Sequence, residues 1–358
     1  MRAPVVVLLG LVIVGAIGAI SADARRPVVP AIFVLGDSTL DVGNNNHLPG
    51  KDVPRANEPF YGIDFPGGAQ ATGRFSNGYN IADFVARQLG FERSPLAYLV
   101  LKSRNYLNPS AMTRGVSYAS AGAERGKEHP FVKAGELLRV DKEMEATWGN
   151  HKVSKLLASS FFLLGFGSND LFQSRPKSEA DVAVLYATLV SNYSAAITDL
   201  YGMGARKFGI ISPGPVGCVP RVRLLNATGA CNDGMNRLTM GLAAAFKSGL
   251  ATTLSPTRLP GLTYSLADSF AGTRANFDNP QAVGFVNADS ACCGSGRLGA
   301  EGECTRNATL CSDRDVYAFF DNVHPSQRAA ELGAQALFVD SPIQITAPIS
   351  FKELAHER

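Results

Sequence analysis

Short apolar runs alternate with longer stretches of helical period along most of the chain. Runs of strand length occur at Ala31 to Leu35, Gly115 to Ala119, Phe161 to Phe166, Lys207 to Ile211 and Leu262 to Leu266. Most are β-branched or aromatic and end in Gly, Ser or Pro. Between them, apolar positions recur at helical spacing over Ile81 to Leu89, Asp181 to Tyr201, Asn236 to Leu254 and Ser326 to Phe338. Continuous apolar strands separated by helices predict a parallel sheet covered on both faces, an α/β fold built as a three-layer α/β/α sandwich. No internal repeat and no Pro- or Ser-rich linker divides the chain, so residues 25–358 read as one domain with long connections at 41–79 and 267–323. In an open parallel sheet the ligand crevice lies beyond the carboxyl ends of the strands. The end of the first strand, Gly36-Asp37-Ser38, therefore points at the expected site.

The amino terminus departs from this pattern. Arg2 precedes an apolar run from Val5 to Ile20, and Ala22-Asp23-Ala24 supplies small residues at signal-peptidase spacing. That run is shorter than the about 20 residues a spanning helix needs, so residues 1–24 read as a cleaved secretory signal. No later stretch reads as a bilayer span, and the expectation is a secreted protein without stable membrane insertion. At 46% hydrophobic and 18% charged residues the composition excludes a disordered chain. A net charge of +3, from 34 Lys and Arg against 31 Asp and Glu, argues against a nucleic-acid partner.

Export changes the reading of the cysteines. All six, Cys218, Cys231, Cys292, Cys293, Cys304 and Cys311, lie in the second half of the chain, and an even number in an oxidising compartment implies disulfides. Pairings that join the adjacent Cys292 and Cys293 would strain a small ring and drop out; the others stay open. The expected pattern is Cys218 with Cys231 as a local staple, the remaining four closing among themselves. A zinc site is the rival, but no His stands at ligand spacing among them, so a metal site is not expected. Sequons at Asn192, Asn226 and Asn307 agree with export and glycosylation.

No G-x-S-x-G elbow, Walker loop, H-E-x-x-H or EF-hand loop is present. The chemistry concentrates instead at strand ends. Ser38 stands just past the first strand, where an exposed hydroxyl becomes a nucleophile if a base reaches it; alone, Gly-Asp-Ser is an ordinary turn. In Asp321-Asn322-Val323-His324-Pro325 the carboxylate and the imidazole can face each other across one turn, leaving the second ring nitrogen as an acceptor. The bland alternative is a capping Asp beside a surface His. Pro325 suits the start of the closing helix. Gly167-Ser168-Asn169-Asp170 follows another strand, where Asn169 could donate to a developing oxyanion, and Gly122 could offer a backbone N–H; each segment alone is most often a turn or cap.

Together these blocks resemble the plant-type GDSL esterase/lipase family of the SGNH hydrolases, over about residues 30–342. Thr72-Gly73-Arg74-Phe75-Ser76-Asn77-Gly78 and Ser212-Pro213-Gly214-Pro215-Val216-Gly217-Cys218-Val219-Pro220 match further stretches common in plant members. The resemblance implies a flavodoxin-like α/β/α fold and a serine esterase, which needs no metal or organic cofactor. It would make Ser38 the nucleophile, His324 the base and then acid, and Asp321 its orienting partner. The oxyanion hole would comprise the Ser38 and Gly122 amides and the Asn169 side chain. Substrates implied are lipid-type acyl esters or acetyl groups on a polymer such as xylan, small-molecule or polymer esters in either case; a single Trp, Trp148, mildly disfavours a sugar-stacking platform. Arg74 reads as a structural ion-pair partner. There are three departures from the family pattern: Thr39 replaces Leu, Ser117 replaces Asn, and residues 123–147 are charged where a small, apolar continuation is expected. The last motivates a different alternative, a non-catalytic binding protein on the same fold.

Overall fold

The computed structural model describes residues 26–104, 106, 112–122, 144–339 and 344–357. The expected signal segment 1–24 lies outside them, as do residues 123–143 of the charged segment. Strands β1 (Ile32–Gly36), β2 (Phe161–Gly165), β3 (Lys207–Ile211) and β4 (Thr263–Ala267) pair in parallel in that order. Two-residue strand β5 (Thr346–Ala347) closes the far edge antiparallel to β4, so the sheet is mostly rather than wholly parallel.

The expected strand at Gly115 to Ala119 runs beside β1 but forms only isolated bridges, Ser117 with Val34 and with Ala97. Its amides still feed the sheet edge: Tyr118 donates to Val34 (2.7 Å) and Ser120 to Gly36 (2.9 Å). Side chains of successive strand residues alternate between two cores, as the period of two requires. On one face Phe33, Leu35, Phe162, Leu164, Phe208 and Ile210 pack under helices α1 (Asn150–Ser159), α2 (Glu179–Gly202) and α3 (Asp233–Thr253). On the other, Ile32, Val34, Phe161 and Leu163 meet Ala82 and Val85 of helix α4 (Ile81–Gln88), Ala330 and Ala334 of α5 (Gln327–Ala336), and Phe351 and Leu354 of α6 (Phe351–His356). The result is an α/β/α sandwich whose fully buried aromatic side chains each contribute about 1.5–3 kcal/mol. Helix α6 comes so close that a Cβ on Gly209 would sit 2.5 Å from Phe161 and 3.0 Å from Phe351.

Helix α2 corrects the expectation that no later stretch could span a bilayer: its 24 residues pass on length and composition, at a mean hydropathy of 1.2. It buries Leu189, Tyr193, Ala196, Ile197 and Leu200, and packs against α3. Pro325 also falls differently, one residue outside the cap of α5. Ser326 is the cap, its hydroxyl accepting from the Ala329 amide and donating to the Tyr317 carbonyl.

The 267–323 connection carries short elements the periodicity did not indicate. Asn287–Ala291 pairs in parallel with Tyr317–Phe319, and Cys293–Gly294 antiparallel with Thr309–Leu310. Three disulfides, Cys218–Cys231, Cys292–Cys311 and Cys293–Cys304, account for all six cysteines. The Cys292 and Cys293 amides donate to the carbonyls of Phe319 and Phe320, the two residues before Asp321.

Candidate active site

Gly36 and Gly165 are register partners at the ends of β1 and β2, so the loops that follow leave the sheet side by side. The first is a tight turn: Leu40 donates back to the Asp37 carbonyl, and the Asp37 carboxylate accepts the Thr39 amide (3.0 Å) and hydroxyl (2.7 Å). Burial raises the Asp37 carboxyl, with the Thr39 donors and the nearby His324 opposing it. Gly36 is required by space, because a Cβ there would lie 2.5 Å from Leu40 and 3.0 Å from the Gly165 carbonyl. Ser38 stands half-buried in this turn.

Its partner comes from the other end of the chain. His324 Nε2 is 2.7 Å from Ser38 Oγ, and His324 Nδ1 is 2.8 Å and 2.9 Å from the two Asp321 oxygens. With Nδ1–H donated to the carboxylate, Nε2 is the acceptor for the serine hydroxyl. Asp321 Oδ1 also receives the backbone amides of Val323 (2.9 Å) and His324 (2.7 Å). Burial acts to raise Asp321, but the charge of His324 and these N–H donors outweigh it and hold the carboxyl below its ordinary value. For His324 burial opposes protonation, yet Asp321, with Asp37 and Glu303 behind it, lifts the imidazole above its ordinary 6.5. Phe75, from the Thr72-to-Gly78 stretch, lies against the imidazole with ring centroids 4.8 Å apart.

Gly122 and Asn169 sit on the two neighbouring loops. Gly122 has φ +76°, a left-handed conformation that glycine adopts without strain. Asn169 is the second residue of a short helix, Ser168–Gln173, that begins after Gly167. A cluster of polar side chains unnoticed in the sequence ties the Gly122 loop to the Ser38 loop. Asp41 accepts from the amides of Gly43, Asn44 and Ala121, while Asn45 accepts the Ala121 amide and the Ser120 hydroxyl and donates to the Ala121 carbonyl. The run Asp41-Val42-Gly43-Asn44-Asn45 was the available signal, since Asp and Asn after a strand organise turns. Asn44 reaches the carbonyls of Ser117 and Ala119. The Ser117 hydroxyl itself is buried with no hydrogen-bond partner among the described residues, at the position where the family pattern has Asn.

Arg74 is held by Asp83 at 2.6 Å and 2.8 Å, both side chains buried. A cavity of about 520 Å³ is lined by Asp170, Arg175, Lys177, Asp181, Val184 and Leu185, and neither Ser38, Gly122, Asn169 nor His324 lines it. Trp148 packs against the core. Asn307 is exposed, whereas Asn226 and mid-helix Asn192 are half-buried. Among the described residues no group of three or more His, Cys, Asp or Glu side chains gathers to hold a metal ion.

A family model described as GDSL-like lipase/acylhydrolase matches residues 32–337. One GDSL esterase/lipase of Arabidopsis thaliana is 34% identical over 334 residues, covering 87% of each chain. A second from the same plant is 32% identical over 361 residues, covering 92% of each. Among solved structures, an acetyl xylan esterase from Geobacillus stearothermophilus aligns at 12% identity with a TM-score of 0.37, over 86% of this chain and 92% of that one.

Proposed function

Because this chain belongs to the GDSL-like lipase/acylhydrolase family and is a carboxylic ester hydrolase, we propose that it works through Ser38, His324 and Asp321 as a catalytic triad. The observation that carries the reading is the unbroken line of contacts from Ser38 Oγ through the imidazole to Asp321. Ser38 Oγ attacks the acyl carbon while His324 Nε2 takes the hydroxyl proton. The imidazolium so formed is stabilised by Asp321 and returns the proton to the departing alkoxide. Water, deprotonated by the same nitrogen, then attacks the acyl-serine, and collapse of the second tetrahedral intermediate frees the acid and Ser38. In both steps the oxyanion lies among the Ser38 and Gly122 amides and the Asn169 side chain.

The substrates proposed are lipid-type acyl esters. One feature supports this over a sugar-borne acetyl group: the single Trp, Trp148, is half-buried against the core, which leaves little of its face for stacking on a sugar. Export is part of the same reading, supported by the leader-like residues 1–24 and by the three disulfides, which persist in oxidising compartments. Residues 25–358 then form a single hydrolase domain, with Asn307 the sequon most open to a glycan.

The test is a series of p-nitrophenyl esters from acetyl to palmitoyl, run beside acetylated xylan, with wild type and Ser38→Ala. Turnover of the longer esters that vanishes in the variant is expected. Unchanged turnover in Ser38→Ala would overturn the triad, and activity confined to acetyl groups would move the substrate to polysaccharide. Absence of fluorophosphonate labelling would favour a binding protein.

A further inference from the structure

One buried side chain is aimed at the site from a distant part of the sequence. Tyr61 lies in the irregular connection between β1 and α4, and its hydroxyl donates to Asp321 Oδ2 at 2.8 Å. Tyr61 is 7% exposed and Asp321 1%. The phenol ring is set edge-on against Phe75 and Phe320, at centroid distances of 5.9 Å and 5.5 Å. Burial and the Asp321 charge push the phenol well above its ordinary range, so it remains a donor at working pH. Asp321 is thus held from two sides. The Val323 and His324 amides occupy Oδ1, and the Tyr61 hydroxyl shares Oδ2 with the imidazole.

We infer that Tyr61 is a positioning residue for ester cleavage, its hydroxyl orienting Asp321 and tempering the negative charge that Asp321 presents to His324. The inference rests on the triad reading above. The charged groups acting on His324 are Asp321, Asp37 and Glu303; those acting on Tyr61 are Asp321 and Glu303. Removing the hydroxyl leaves Asp37 and Glu303 in place and returns to Asp321 the charge that the hydrogen bond had drawn off. The imidazolium becomes more favourable, so His324 titrates at higher pH. Asp321 also loses a restraint against rotation, which slows proton transfer without touching substrate.

Tyr61→Phe keeps the ring packing and deletes only the donor. The acid limb of kcat/KM and the His324 ring titration, followed by NMR on histidine-labelled protein, should both move to higher pH. In parallel kcat should fall about tenfold with KM little changed. A folded variant with an unchanged His324 titration would overturn the inference, because a purely structural role does not move it. If Tyr61→Phe fails to fold, 3-fluorotyrosine placed at position 61 preserves the ring and strengthens the donor; the His324 midpoint must then move down, and no movement sinks the idea. Ser38→Ala separates the two readings: turnover surviving in it defeats the triad, while the NMR titration still decides the coupling of Tyr61 to His324.

Discussion

Asn45 grips the peptide group on each side of Ala121, accepting the Ala121 amide at 3.0 Å and donating to the Ala121 carbonyl at 2.9 Å. The residue so held directly precedes Gly122, and the residue holding it follows Ser38 by one short turn. The proposed nucleophile and the proposed oxyanion donor are thereby tied to each other by this side-chain amide, with Asp41 sharing the Ala121 amide. Asn45→Ala frees the Gly122 loop, and kcat should fall by about 10–100-fold, somewhat less than the 10²–10³ typical when a donor itself is deleted. Steady-state kinetics check this; a kcat within a factor of two of wild type would show that the grip is not needed.

The pH dependence follows from His324. In the proposed triad its imidazole must be neutral to take the serine proton, and its pKa is raised, burial being outweighed by Asp321, Asp37 and Glu303. Acidification therefore removes activity starting from a higher pH than an ordinary imidazole of 6.5 would allow. Asp321, held below its ordinary value, stays ionised throughout that limb, which should follow a single proton. A kcat/KM profile with its acid midpoint at or below the ordinary value would contradict the picture. Asp321→Asn removes the principal partner of the imidazolium and should lower the rate by about 10⁴-fold.

Arg74 tests a structural role. Its guanidinium pairs with Asp83, which also forms a capping box with Asn80 at the start of α4 and accepts the Ser94 amide. Arg74→Met leaves that carboxylate buried without its cation, at a cost of about 3–5 kcal/mol. Urea denaturation should register the loss, while kcat of the remaining folded protein stays near wild type. Loss of kcat with unchanged stability would instead put Arg74 in the cleft.

The adjacent cysteines bear on both stability and rate. Cys293–Cys304 closes a short loop, and the Cys293 amide donates to Phe320, next to Asp321, at 2.7 Å. Replacing both cysteines with Ser should cost about 2–3 kcal/mol and lower kcat at temperatures well below the midpoint of unfolding. Unaltered kcat in that range would show that the acid-bearing loop holds its shape without the staple.

The sheet is legible in the sequence because its parallel strands are buried on both faces and read as continuous apolar runs; Lys207 to Ile211 coincides with β3 residue for residue. Gly115 to Ala119 carries the same signal, yet it lies along the edge of β1 and forms bridges instead of a ladder. Strands of two residues, such as Thr346–Ala347, are too short to show a period at all. At the site, the pairing of Asp321 with His324 is local and can be read from spacing. Tyr61 is not readable this way: a Tyr in a Gly- and Pro-rich connection has no periodic signal, and its partner stands 260 positions away. Asn45 is visible only as one of several turn-forming residues, because what it holds belongs to another loop.

The contact between Ser38 and His324 joins positions 286 apart, and the intervening chain supplies most of the sheet. During synthesis the nucleophile emerges early and its base almost last. On the proposed triad, until β4 and the stapled loops after it are in place, the serine hydroxyl is an ordinary alcohol without its base. The proposed triad thus makes ester cleavage a late property of the folding chain. A refolding protein should regain its strands before it regains turnover.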